Sequence, residues 1–149
     1  MHVDVDSLQP GFDLPVVERH MTQERMSVFS DMEEATVKGR MVLAPTNIHK
    51  DLDFAMEQGL PNTIADGLIS TAFTERILRE ILGMGYLQGG ALHTKFIRPV
   101  YAGDILRFHG RVTGRAPEGD AERVVIEFAW HNQEDAPVTV GSASGLIRP

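Results

Sequence analysis

His49 is the residue in this sequence best suited to moving a proton, and two carboxylates, Asp51 and Asp66, stand near it in the chain. An imidazole titrates close to neutrality, so it can take a proton from water without carrying a permanent charge. A carboxyl group can give or take a proton once its surroundings set its state. Next to Asp66 comes Gly67, then Leu68, at the head of a long apolar-periodic segment. Backbone amides in the first turn of a helix have no intrahelical partner, so Gly67 and Leu68 can donate to a developing negative charge. Gly67 also lets another group approach the backbone closely. Each of these residues has a plainer use. His49 can be a loop histidine bonded to the backbone. Asp51 and Asp66 can be helix N-caps. Gly67 can be a tight packing point.

The elements that would position this group are readable from periodicity. Over residues 64–82 the apolar residues Ile69, Phe73, Ile77 and Ile81 recur every four positions, widened by Leu68, Ala72, Leu78 and Leu82. That spacing predicts a helix with one broad apolar face, stopped by Gly83. Glu75 with Arg79, and Arg76 with Glu80, fall at i,i+4 on its other side. Shorter helices are predicted over residues 23–32, where Thr22 is the cap, and over residues 52–58 after Asp51. A strand is expected near residues 14–19. After residue 90 the period becomes two: Leu92, Thr94 and Phe96; Leu106, Phe108, Gly110 and Val112; Val124, Ile126, Phe128 and Trp130; then a small, apolar run over residues 138–147. Turn residues fill 99–104, 116–121 and 132–137, so these runs read as antiparallel strands. A sheet wrapped around the long helix would bury both apolar faces in one core.

Composition bounds the rest. With 149 residues, 42% hydrophobic and 23% charged, the chain is expected to form one globular domain over residues 1–149. No cysteine is present, which excludes disulfides, thiol nucleophiles and cysteine-ligated zinc. A formal charge of −7 argues against a nucleic-acid partner. No run is long and apolar enough for a membrane span. The acidic first residues lack the pattern of a signal peptide, and a cytoplasmic location is the expectation. His93, His109 and His131 fall on separate strand-like runs without the paired spacing of a metal site, so they are expected to be solvated and no metal is expected.

Four stretches in order carry a family resemblance. They are Thr46-Asn47-Ile48-His49-Lys50-Asp51-Leu52-Asp53-Phe54-Ala55, then Ile64-Ala65-Asp66-Gly67-Leu68, then Phe96-Ile97-Arg98-Pro99-Val100-Tyr101-Ala102-Gly103-Asp104, and Trp130-His131-Asn132-Gln133. In order and spacing they resemble the MaoC-like dehydratases and R-specific enoyl-CoA hydratases. The resemblance runs from about residue 11 to the C-terminus. It implies an α+β hot-dog fold, a long central helix wrapped by a curved antiparallel sheet. It also implies a homodimer or larger assembly and a hydro-lyase acting on an acyl-CoA or acyl-carrier-protein thioester.

That chemistry needs a base for water, an acid for C2 and donors for the thioester oxygen. The resemblance places His49 on the family's catalytic histidine, with Gly67, Leu68 and Asn47 about the substrate. Lys95, Arg98 and Arg107, the cations nearest the family's cofactor-facing strands, are candidates for the coenzyme A phosphates. Coenzyme A enters as part of the substrate, and no resident cofactor is expected.

The chain departs from the motif at the acid. The family's catalytic Asp lies five residues before the histidine, and here that residue is Ala44, with no Asp or Glu between Lys38 and Lys50. Asp66, where the family usually has histidine, and Asp51 are the candidates to replace it. The helix dipole favours Asp66 as an anion, which makes it a poorer acid. Two other readings therefore stand beside the hydratase. One is a non-catalytic hot-dog subunit that binds acyl thioesters or supports an active paralogous partner. The other is a thioesterase on the same scaffold.

Overall fold

The structure is a computed structural model that describes residues 3–33 and 47–148. The Ala44 and Thr46 substitutions, and the segment around Glu33 to Arg40, lie outside the described residues or at their edge. After a 3₁₀ turn at Val5–Ser7, the elements in chain order are β1 (Val17–His20), α1 (Gln23–Glu33), α2 (Leu52–Glu57), α3 (Gly67–Leu82), α4 (Met84–Gly89), β2 (Ala91–Phe96), β3 (Ile105–Glu118), β4 (Ala121–His131) and β5 (Pro137–Ile147). Among the described residues the strands form one antiparallel sheet in the order β1-β3-β4-β5-β2.

The two-residue alternation holds where the strands are central. Leu106, Phe108, Gly110 and Val112 of β3 point inward with Val124, Ile126, Phe128 and Trp130 of β4. Phe108 packs edge-on to Trp130 at 5.2 Å between ring centroids. The hairpin between β3 and β4 is tighter than expected. Residues 116–118 continue β3, and Gly119 takes the positive φ of 64° that the turn requires.

The long helix begins three residues later than its periodicity suggests. Ile64 instead forms an isolated bridge with Tyr101, and Ala65 N–H donates to the Val100 carbonyl. Asp66 then caps α3 by accepting the Leu68 N–H at 2.8 Å. The buried face comprises Ile69, Ser70, Thr74, Ile77, Leu78, Ile81 and Leu82, so Leu68 and Ala72, expected inward, point outward. Two hydroxyls take their place for a reason. Trp130 Nε1–H donates to Thr74 Oγ1 at 2.8 Å, and Thr74 donates back to the Ser70 carbonyl. A buried indole N–H needs such a partner. Gly83 does end the helix, at φ 54°, but the chain turns at once into α4, which no apolar period announces.

The loop from Phe96 to β3 fixes the N-terminus of α3. Asp104 is buried. It accepts the Tyr101 N–H at 2.8 Å and the Gln133 side-chain N–H at 2.9 Å, and Gly103 supplies a φ of 96°. This closes the turn that presents the Val100 carbonyl to Ala65.

Candidate active site

His49 follows a tight turn that Asn47 holds. Asn47 Oδ1 accepts the N–H of His49 at 2.9 Å and of Lys50 at 3.1 Å, while its Nδ2 donates to Ser30 Oγ of α1. Asn47, expected about the substrate, thus shapes the loop and is not among the residues that line the neighbouring cavity. A second anchor comes from α1. Gln23 Nε2 donates to the His49 carbonyl at 2.9 Å, and Gln23 Oε1 accepts the Thr63 hydroxyl. Thr63 is buried, so this contact ties the His49 loop to the segment leading into α3. The sequence marked Gln23 only as a helix start.

The ring of His49 is oriented by the backbone. Its Nδ1 lies 2.7 Å from the Ile64 carbonyl oxygen. A carbonyl only accepts, so Nδ1 carries the hydrogen and neutral His49 offers a lone pair at Nε2. Nε2 faces Asp66 Oδ2 at 3.7 Å. The other oxygen of Asp66 is the α3 cap, so one carboxylate both starts the helix and meets the imidazole. Both side chains are partly exposed, at 21% for His49 and 27% for Asp66. The 3.7 Å gap exceeds a direct hydrogen bond and leaves both groups open to a third.

Asp66 and Gly67 line a cavity of about 370 Å³ at the N-terminus of α3. Its walls are largely apolar, with Met21, Ile69, Phe96, Val100 and Leu106 among them, and Arg98 at the polar side. His49 stands behind Asp66 and Ile64 and is not itself a lining residue. Gly67 meets the ring of Phe96: a Cβ there would lie 2.7 Å from it. The packing use of this glycine is therefore real, and its N–H, at the first helical position, is not the one taken by the cap. The Leu68 N–H is taken by the cap, and the Leu68 side chain is exposed, so Leu68 is not placed to act as the second donor.

Further expectations meet a different geometry. Asp51 accepts the Phe54 N–H at 3.0 Å as the α2 cap; it neither lines the cavity nor joins the His49–Asp66 pair. Lys95 is exposed on β2 and is not a lining residue. Arg107 pairs with Glu18 at 3.2 Å, whereas Arg98 lies on the cavity and donates to the Pro137 carbonyl. His93 is exposed as expected. His109 and His131, expected to be separate, instead pack edge-on with ring centroids 5.2 Å apart.

An antiparallel sheet packed on one long helix is the architecture of the hot-dog class. The family model of the MaoC-like domain matches residues 43–129, and the chain belongs to that family. Its curated relatives include a UPF0336 protein of Tropheryma whipplei (strain Twist), 26% identical over an alignment of 115 residues that covers 73% of this chain and 76% of the relative. Similar solved structures include the R-hydratase PhaJ1 of Pseudomonas aeruginosa, at TM-score 0.72 and 21% identity, covering 95% of this chain and 82% of that one. They also include the HadBC (3R-hydroxyacyl-ACP dehydratase) complex of Mycobacterium tuberculosis, at TM-score 0.65 and 16% identity, covering 93% and 96%. At these identities the structural likeness establishes the fold. No helix among the described residues is long and apolar enough to cross a membrane.

Proposed function

We propose that this chain is a hydro-lyase that adds water to a 2-enoyl thioester, or removes it in reverse, with His49 and Asp66 cycling one proton. The observation that carries this reading is His49 Nε2 facing Asp66 Oδ2 at 3.7 Å beside an apolar cavity. In the forward direction the water oxygen bonds to C3 and one water proton passes to Nε2. The C2=C3 electrons move onto the thioester oxygen as an enolate, which accepts the Gly67 N–H. The new imidazolium lies against the Asp66 carboxylate, which stabilises its charge. The pair then releases that proton to C2 and returns to its starting state. Asp66 need not be protonated beforehand, so the helix dipole that favours its anion no longer counts against it. Family membership supports the reaction class.

The acyl chain would occupy the apolar cavity, and Arg98 at its side suits a phosphate of coenzyme A. Coenzyme A is the carrier favoured here, because a chain of net charge −7 repels an acidic carrier protein. Self-association is supported by β2, an edge strand that ends on the exposed Phe96 and is followed by the exposed Ile97. A supporting-subunit role is the second reading. Ala44 favours it, and the HadBC dehydratase of similar fold is by its name a complex.

The test is to mix the purified chain with crotonyl-CoA and follow the conjugated enoyl absorbance, with His49→Ala as control and a thiol reagent alongside. Absorbance lost by the wild type alone, without thiol release, is the expected result. Thiol release would point to a thioesterase. Neither signal alone, with turnover gained on adding a co-purified partner chain, would replace the hydratase reading with the supporting subunit.

A further inference from the structure

On the sheet face opposite the core, His109 of β3 and His131 of β4 come together with Asp135 of the turn between β4 and β5. One donor atom from each lies within 4.8 Å of the others. The register explains the meeting. His131 is directly opposite Arg107, and His109 is two residues further along the same face, so the two imidazoles are diagonal neighbours. Asp135 is carried there by a turn in which Asn132 Oδ1 accepts the N–H groups of Glu134 and Ala136, and Asp135 itself takes a φ of 60°. The cations nearby are already engaged: Arg107 pairs with Glu18, and Arg111 with Asp13.

A second observation concerns His131. Its Nδ1 is buried and has no hydrogen-bond partner among the described residues. A histidine with an unpartnered buried nitrogen, grouped with a second imidazole and a carboxylate, offers the donor set of a divalent transition-metal site. The geometry points to a Zn²⁺ site formed by His109, His131 and Asp135. Two imidazoles and a carboxylate are ordinary zinc ligands, with water completing a tetrahedron. Tetrahedral bonds to zinc set ligand atoms about 3.3 Å apart, so side-chain rotation closes the 4.8 Å spread. The site lies apart from the cavity at α3, since none of its three residues lines it. It would staple β3 to the β4–β5 turn, whose Gln133 holds the buried Asp104.

The experiment is a Zn²⁺ titration of the purified, untagged, metal-stripped chain in competition with a chromogenic chelator, with melting temperature read in parallel. The expected result is one Zn²⁺ per chain and a raised melting temperature, because a ligand of the folded state stabilises it. Asp135→Asn keeps a residue that tolerates positive φ and removes the charged ligand, so it should fold and weaken binding by about tenfold or more. His109→Gln should do the same, and His93→Gln should change nothing. Absence of stoichiometric binding, or binding unchanged in both Asp135→Asn and His109→Gln, would overturn the site. Hydration activity plays no part in this readout, so the outcome is separate from that of the α3 site.

Discussion

Asp66 serves two neighbours at once: Oδ1 accepts the Leu68 N–H at 2.8 Å to begin α3, and Oδ2 faces His49 Nε2 at 3.7 Å. The helix and the proposed proton cycle share one carboxylate. The substitution Asp66→Asn separates the two, because Asn caps a helix about as well as Asp. Stability should stay within about 0.5 kcal/mol of wild type. The rate of hydration should fall by about 10²- to 10⁴-fold, the usual worth of a proton-transfer group. Denaturant unfolding and initial rates measured on the same preparation check both halves.

Gln23 should act through position alone. It holds the His49 carbonyl and receives the Thr63 hydroxyl. Loosening that loop misplaces the imidazole without removing any group that meets substrate. Gln23→Ala is expected to lower kcat by about ten- to a hundredfold and to leave KM nearly unchanged. A rise in KM with kcat intact would show that Gln23 serves binding.

The Trp130–Thr74 hydrogen bond should be expensive to lose. Thr74→Val preserves shape but leaves the buried indole N–H unpaired. The expected cost is about 1–3 kcal/mol by urea unfolding. A negligible change would mean that the indole finds another acceptor.

Acid should weaken the β3–β4 hairpin. Hydrogen bonds from Arg123 hold the Glu118 carboxyl below its usual range, and those from Arg115 do the same for Glu122. A carboxyl depressed in the folded state contributes stability above its unfolded pKa of about 4.3, and that contribution is lost as pH falls through the folded value. Both groups are solvent-exposed, so the effect is small and salt-sensitive. The double variant Glu118→Gln, Glu122→Gln should melt slightly lower than wild type at pH 7 and level with it at strongly acidic pH. Melting curves across pH test this.

The sequence made the helix, the central strands and the caps legible because each rests on local chemistry. Ile77 and Ile81 repeat at the helical period, Phe108 and Trp130 at the strand period, and Asp51 and Asp66 carry the side chains of N-caps. What escaped depends on distant partners. Ser70 and Thr74 face inward because Trp130 and Thr139 meet them across the core, which no helical period records. His109 and His131 stand 22 positions apart in the chain and become neighbours only through the β3–β4 register. The same holds at the α3 site. His49 and Asp66 were each conspicuous alone, but their approach and the tie of Nδ1 to Ile64 follow from the bridge between Ile64 and Tyr101 and from the anchor at Gln23. Asn47 and Leu68 were assigned to substrate by motif position, whereas Asn47 bonds the His49 and Lys50 N–H groups and Ser30, and the Leu68 N–H is taken by the Asp66 cap.

The most direct test of the central claim is a rate comparison among wild type, His49→Ala, Asp66→Asn and the double variant, with crotonyl-CoA as substrate. Residues that work as one unit lose their whole contribution when either is removed. The account predicts a wild type far faster than both single variants and a double variant no slower than the worse of them. Losses that multiply in the double variant, or a wild type no faster than His49→Ala, would contradict a shared proton between His49 and Asp66.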